Sequence, residues 1–220
     1  MDFSYAWSIR GRILQETVTT LYMASLSAVF AGLFGLILGV ILVVTRKGGI
    51  LELPALNGLI DKLINLLRAV PFIIMLALVV PVTLLIVQKR IGSTAAIVPL
   101  VFCAAPFFAK QVEQALSDLD PGLIEAAQAM GDSPLQIIFD VYLREGLPQL
   151  IRAASITLIS LIGLTTMAGT VGGGGIGNLA ISLGYNRYKD DVTLVCVAII
   201  LILVYLIQGI ANRLIQKTTH

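Results

Sequence analysis

DPGLIEAAQAMGDSPLQIIFDVYLREGLP, residues 120–148, decides the fold because it is a long polar stretch in a chain otherwise apolar enough to sit in a bilayer. Its punctuation spells two short helices. Asp120 is an N-cap residue, Pro121 fits the first helical position and Gly131 fits the residue just past the end, so a helix over 121–130 is bracketed on both sides. Ser133, Pro134 and Gln136 repeat the signal as a capping box with proline at its first helical position. The expected result is helix, glycine turn, helix. Ala126, Ala127 and Ala129 keep the first helix slim enough to lie in a groove of another protein. Residues 110–152 hold seven acidic side chains against three basic ones, and a basic-rimmed groove would complement that charge. A merely solvated connection would need neither caps on both helices nor a glycine at the hinge.

Working outward, the 220 residues are 57% hydrophobic and only 13% charged, with a mean hydropathy of +0.94, which points to an integral membrane protein. The net charge is +2 and the basic residues are scattered, so nucleic acid is excluded as a partner and the lipid bilayer takes its place. Cys103 and Cys196 fall in apolar runs and read as small buried hydrophobes. The single histidine, His220, is the last residue, which excludes a zinc or histidine-dependent centre. The first apolar run is too long for a signal peptide and ends at Arg46 and Lys47, so it should stay as a spanning helix.

A helix needs about 20 apolar residues to cross the hydrocarbon. Five runs qualify: 17–45, 69–88, 91–109, 153–168 and 192–212. Gly32, Gly35 and Gly39 in the first form a small-residue stripe that lets another helix approach closely. Pro71, Pro81, Pro99 and Pro106 predict kinks in the second and third. Residues 51–68 read as an interfacial amphipathic turn, and no composition break divides the chain, so residues 1–220 are expected to form one transmembrane domain. With residues 120–148 in the cytoplasm, nine basic residues lie inside and six outside, which favours N-terminus out and C-terminus in.

Gly172, Gly174 and Gly177 in VGGGGIGN match the spacing of a dinucleotide fingerprint, but that fingerprint works only after a strand, and here a membrane helix precedes it. No P-loop occurs, so another chain must bind any ATP used. Residues 169–177 instead read as a flexible, non-helical segment ending the fourth span, a candidate gate facing protein or a water-filled cavity. Thr165, Thr166 and Met167 just before it are candidate pathway residues, the thioether being a soft closure for an apolar-tailed solute. The expected spans contain no Asp, Glu, His or basic residue, which argues against proton- or ion-driven transport and against an intramembrane enzyme.

Glu125-Ala126-Ala127 followed by Gly131 resembles the EAA loop of bacterial ABC-importer permeases, with Val141 and Leu143 in register further on; Arg144 stands where that pattern has proline, and Leu147-Pro148 follows. RAVPFIIML (68–76), AAIVPL (95–100), AAPFFAKQVE (104–113), GLIEAAQAMG (122–131) and LVYLIQ (203–208) narrow the resemblance to the methionine-uptake ABC permeases. That resemblance implies an all-α integral membrane protein of the type I ABC importer permease fold, with five transmembrane helices and a cytoplasmic two-helix coupling loop. It implies a homodimer in the bacterial inner membrane, two cytoplasmic ABC ATPase subunits that bind the ATP and Mg, and an extracytoplasmic binding protein that delivers D- or L-methionine or close derivatives. No cofactor is expected in this chain, which is not itself an enzyme. The residues expected to couple to the ATPase are Glu125, Ala126, Ala127, Gly131, Ser133, Leu135 and Ile138; those expected at the pathway or gate are Thr165, Thr166, Met167, Gly172, Gly173 and Gly174. The alternatives are a permease for another small solute, such as glycine betaine or a different amino acid, and a membrane scaffold without a pathway.

Overall fold

The computed structural model describes residues 3–218, and His220 lies outside them. Among the described residues every regular element is helical. A short α1 (Ser4–Ser8) leads into α2 (Arg10–Thr45), which starts ahead of the expected apolar run. A helix does not stop where hydrocarbon stops, because its backbone bonds continue as long as the chain supplies helix-compatible residues. The extension brings Arg10, Arg12 and Glu16 into α2 ahead of the uncharged run 17–45.

α2 ends at Thr45, where Asn57 Nδ2 donates to the carbonyl of Leu42 (2.7 Å) and to Thr45 Oγ1 (3.1 Å), satisfying an otherwise orphan carbonyl of the last turn. Asn57 belongs to α3 (Pro54–Ala69), a full helix where the sequence suggested only an interfacial turn. Lys110 Nζ donates to Asp61 Oδ1 at 2.8 Å and pins α3 to α6 (Ser93–Ser117).

The expected span 69–88 is not one helix. Val70 is extended (φ −78°, ψ 120°) ahead of Pro71, and Val79 leaves helical geometry (φ −92°, ψ 7°) two residues before Pro81. The run is therefore divided into α4 (Phe72–Leu78) and α5 (Val80–Val87). Pro99 and Pro106, by contrast, lie inside an unbroken α6. Among the described residues four helices are long and apolar enough to cross a membrane as single pieces: Arg10–Thr45, Ser93–Ser117, Leu147–Gly173 and Asp190–Thr218.

α6 is the centre of the packing, with α2 on one side and α9 (Leu147–Ala168) on the other; α9 in turn carries α11 (Asp190–Thr218). Two glycines of the small-residue stripe explain the α2–α6 approach. A Cβ at Gly35 would lie 2.8 Å from the Ala105 carbonyl, and one at Gly39 would lie 2.5 Å from Val112 Cβ and 2.7 Å from the Ala109 carbonyl. Gly32 faces open space. Apolar side chains are buried at three heights: around Val43, Val112 and Tyr142 at one end, around Met23, Leu100 and Leu161 in the middle, and around Ile13, Ile176 and Cys196 at the other end.

Candidate functional site

Two polar or irregular segments lie at opposite ends of this bundle. The first is the 120–148 loop. Its opening helix, α7, runs Pro121–Ala129, and Asp120 Oδ1 accepts the Gly122 amide at 2.9 Å as the N-cap. The helix closes on Gly131, whose φ of +87° is the left-handed conformation glycine adopts at no steric cost. The Gly131 amide donates to the Gln128 carbonyl (3.0 Å) and the Asp132 amide to the Ala127 carbonyl (3.1 Å), the two bonds of a Schellman ending. The capping box follows: Ser133 Oγ accepts the Gln136 amide at 3.4 Å and Gln136 Oε1 accepts the Ser133 amide at 2.8 Å.

Beyond it the structure departs from the expected pair of short helices. α8 begins at Pro134–Gln136 and continues as wide π-type turns over Ile137–Leu143, and Arg144 remains right-handed helical (φ −76°, ψ −53°). The interruption falls at Gly146, and α9 begins immediately after it. Arg144 brings an amide where the family pattern has proline, so the helix passes through it. Pro148, lacking an N–H, cannot serve the Arg144 carbonyl four residues back, and this places the interruption where it is.

One face of the loop is anchored. Ala127 (2% exposed), Ile137 and Tyr142 pack with Val43, Val112 and Leu116 from the ends of α2 and α6, and Ile138 leans on the same cluster. Ala127 and Ile138, expected at a partner surface, thus hold the loop to its own bundle. Glu125, Ala126, Gly131, Ser133 and Leu135 lie on the exposed face. Leu123, Met130 (76% exposed) and Phe139 (62% exposed) join them, and these three were not singled out from the sequence. The signal was available, since Leu135 and Phe139 are four residues apart on one helical face.

The second segment is the end of α9 and its glycine run. Thr165 is buried and its hydroxyl donates to the Ile162 carbonyl at 2.7 Å; the half-buried Thr166 donates to the same oxygen at 3.2 Å. Both hydroxyls are therefore occupied within their own helix, whereas Met167 is 42% exposed. The expected flexible segment at 169–177 is corrected. Residues Gly169–Gly173 form a wide turn continuing α9, the break is confined to 171–175, and α10 (Gly175–Leu179) follows at once.

Close packing explains why this run is ordered. A Cβ at Gly169 would lie 2.6 Å from the Asn178 amide nitrogen, and one at Gly177 would strike the backbone of Thr166. Gly173 is buried, Gly174 half-buried and Gly172 exposed, with the Gly172 carbonyl accepting the Gly92 amide at 3.1 Å. On the α2 side, Glu16 Oε2 accepts the Gly175 amide at 2.5 Å and Thr20 Oγ1 accepts the Ile176 amide at 2.8 Å. The sequence reading missed both residues, although their four-residue spacing put them on one helical face. Nearby, the buried Asp191 at the start of α11 accepts the Ala6 amide at 2.7 Å and ties α1 down.

Residues 31–220 match the model of a family described as the binding-protein-dependent transport system inner membrane component. The chain belongs to this family. Within the inner membrane component family it is 44% identical over 208 residues to the probable D-methionine transport system permease protein MetI of Vibrio cholerae, covering 94% of this chain and 92% of that one. It is 43% identical over 172 residues to the methionine import system permease protein MetP of Bacillus subtilis, covering 78% of each. A chain of the MetNI methionine ABC transporter, solved in inward-facing conformations, superposes with a TM-score of 0.94 at 42% identity and covers 97% of this chain and 99% of that one. The all-helical fold is thus that of an ABC importer permease.

Proposed function

We propose that this chain is the permease subunit of an ATP-driven methionine importer. The observation that carries the reading is the length of the match: more than nine-tenths of this chain and of a methionine permease align, so the coupling loop and the α9 glycine run are both included. The chain works as a homodimer with two ATPase subunits on the cytoplasmic side and a methionine-binding protein outside. The permease forms a single transmembrane domain with its N-terminus out and its C-terminus in. ATP and Mg sit in the partner ATPase.

In this reading the exposed face of the loop, with Glu125, Ala126, Gly131, Ser133 and Leu135, lies in the ATPase groove. Ala127 and Ile138 keep that face in register against the bundle. ATP closure moves the loop, the permease halves rock, and access alternates from inside to outside. Thr165, Thr166, Met167 and the glycines at 172–174 stand at the gate. Met167 presents its thioether, while the two threonines shape the helix end.

Two measurements test this. Reconstituted with its ATPase and binding protein, the complex is expected to take up labelled methionine in an ATP-dependent way, and glycine betaine or other amino acids in excess are expected not to compete. Competition by one of those solutes alone would move the substrate assignment, and a complex that imports nothing would be a scaffold. Separately, Phe139→Ala is expected to weaken ATPase association about tenfold or more, as the loss of an exposed aromatic anchor does at an interface. Thermal stability should hold, because the ring is 62% exposed. Unaltered association would remove Phe139 from the contact.

A further inference from the structure

We infer that Glu16 and Thr20 are positioning residues that hold the glycine turn at 172–176 in the register transport requires, an inference that rests on the transport reading above. The pair lies one helical turn apart on α2 and takes two successive amides of the turn, Gly175 to Glu16 Oε2 at 2.5 Å and Ile176 to Thr20 Oγ1 at 2.8 Å. Side chains four residues apart share a face, so one helix presents both acceptors at the spacing of consecutive amides.

The contact is close as well as polar. Gly175 has a φ of +83°, and a Cβ there would lie 2.6 Å from Thr20 Oγ1. Ile176, which follows, is fully buried with Ile13 and Leu179. At its other end the turn is held by the Gly92 amide on the Gly172 carbonyl, just before α6. The break after α9 is therefore fixed between the α2 face and the start of α6. Because Thr165, Thr166 and Met167 lie immediately upstream, the position of that turn sets where the end of α9 can stand.

Glu16 stands one residue ahead of the uncharged run 17–45 and is half-buried, with its carboxylate on the glycine turn. A carboxylate receiving a backbone N–H is a charge-assisted bond, stronger than the neutral bond at Thr20. The clamp makes the glycine turn a part whose release is controlled from α2.

The test uses the full complex with its ATPase and binding protein, and compares Glu16→Ala, Glu16→Gln, Thr20→Val and Thr20→Ser by hydrogen exchange and by uptake. In Glu16→Ala and Thr20→Val, exchange in a peptide covering 169–180 is expected to rise about tenfold, the opening that loss of one such hydrogen bond allows. Exchange over 120–146 should be unchanged. Uptake should fall by a similar factor, while Glu16→Gln and Thr20→Ser, which keep an acceptor, return both readings toward the parent values. Unchanged exchange at 169–180, a rise spread over every peptide, or a local rise with full uptake would each overturn the positioning role. Failure of the methionine reading would appear differently: the unsubstituted complex would not import methionine, although the exchange pattern would still report the clamp.

Discussion

In a Gly131→Val permease, uptake is expected to fall by an order of magnitude or more while the assembled complex goes on hydrolysing ATP. Gly131 holds φ +87°, and a Cβ built there meets nothing within 4 Å. The penalty is therefore purely conformational: a β-branched residue in the left-handed region costs roughly 1–2 kcal/mol. The chain can relieve that strain only by opening the Schellman bonds from Gly131 to Gln128 and from Asp132 to Ala127. Opening them changes the angle between α7 and the Ser133 capping box without disturbing the buried anchor at Ala127 and Ile137. The loop then still binds its partner but no longer transmits its movement. Gly131→Asn, which tolerates the left-handed region, is the matched control and should keep most of the uptake. Parallel uptake and hydrolysis measurements on the two variants decide the point, and coupled transport in Gly131→Val would refute it.

The second large effect belongs to stability. Gly39→Leu is expected to destabilise the permease by about 3 kcal/mol or more, at or beyond the upper end of ordinary overpacking, because rigid backbone lies in the way. At Gly39 the first added atom already lies 2.7 Å from the Ala109 carbonyl and 2.5 Å from Val112 Cβ. Relief requires α2 and α6 to separate along the packing that centres the bundle. Gly32→Leu, about two turns away on the same helix, adds its side chain to open space and should leave the melting temperature nearly unchanged. Thermal unfolding of the two purified variants is the comparison, and equal melting temperatures would count against the packing argument.

These two sites show what could be read from the chain alone. The caps of the 120–148 loop were legible residue by residue, because Asp120, Gly131 and the Ser133–Gln136 pair act on backbone within a few residues of themselves. The close approach at Gly35 and Gly39 was legible as a stripe, but its partner was not. Spacing identifies a face, and only the fold brings Phe108 and Val112 to it while leaving Gly32 bare. The division of 69–88 was half legible. Pro71, Pro81, Pro99 and Pro106 looked alike in the sequence, yet the first two stand at helix breaks and the last two sit inside α6.

What stayed hidden was long-range. Glu16 and Gly175 are 159 positions apart, and nothing local to either announces the other. A row of glycines reads as freedom because glycine permits many conformations. Here the missing side chains are what let α2, α9 and α10 close on the backbone. Ala127 is buried and Ile138 half-buried against the bundle's own core, a packing role that the motif alone does not announce.

The 120–148 loop and the candidate gate are joined by a single helix. α9 itself, Leu147–Ala168, runs unbroken for 22 residues from the end of the 120–148 loop to Met167. At about 1.5 Å per residue this makes a lever arm on the order of 30 Å. A tilt of roughly 5° imposed at its loop end would sweep the Met167 end sideways by about 3 Å. On the coupling proposed for the 120–148 loop, a small swing there becomes a larger displacement beside Met167.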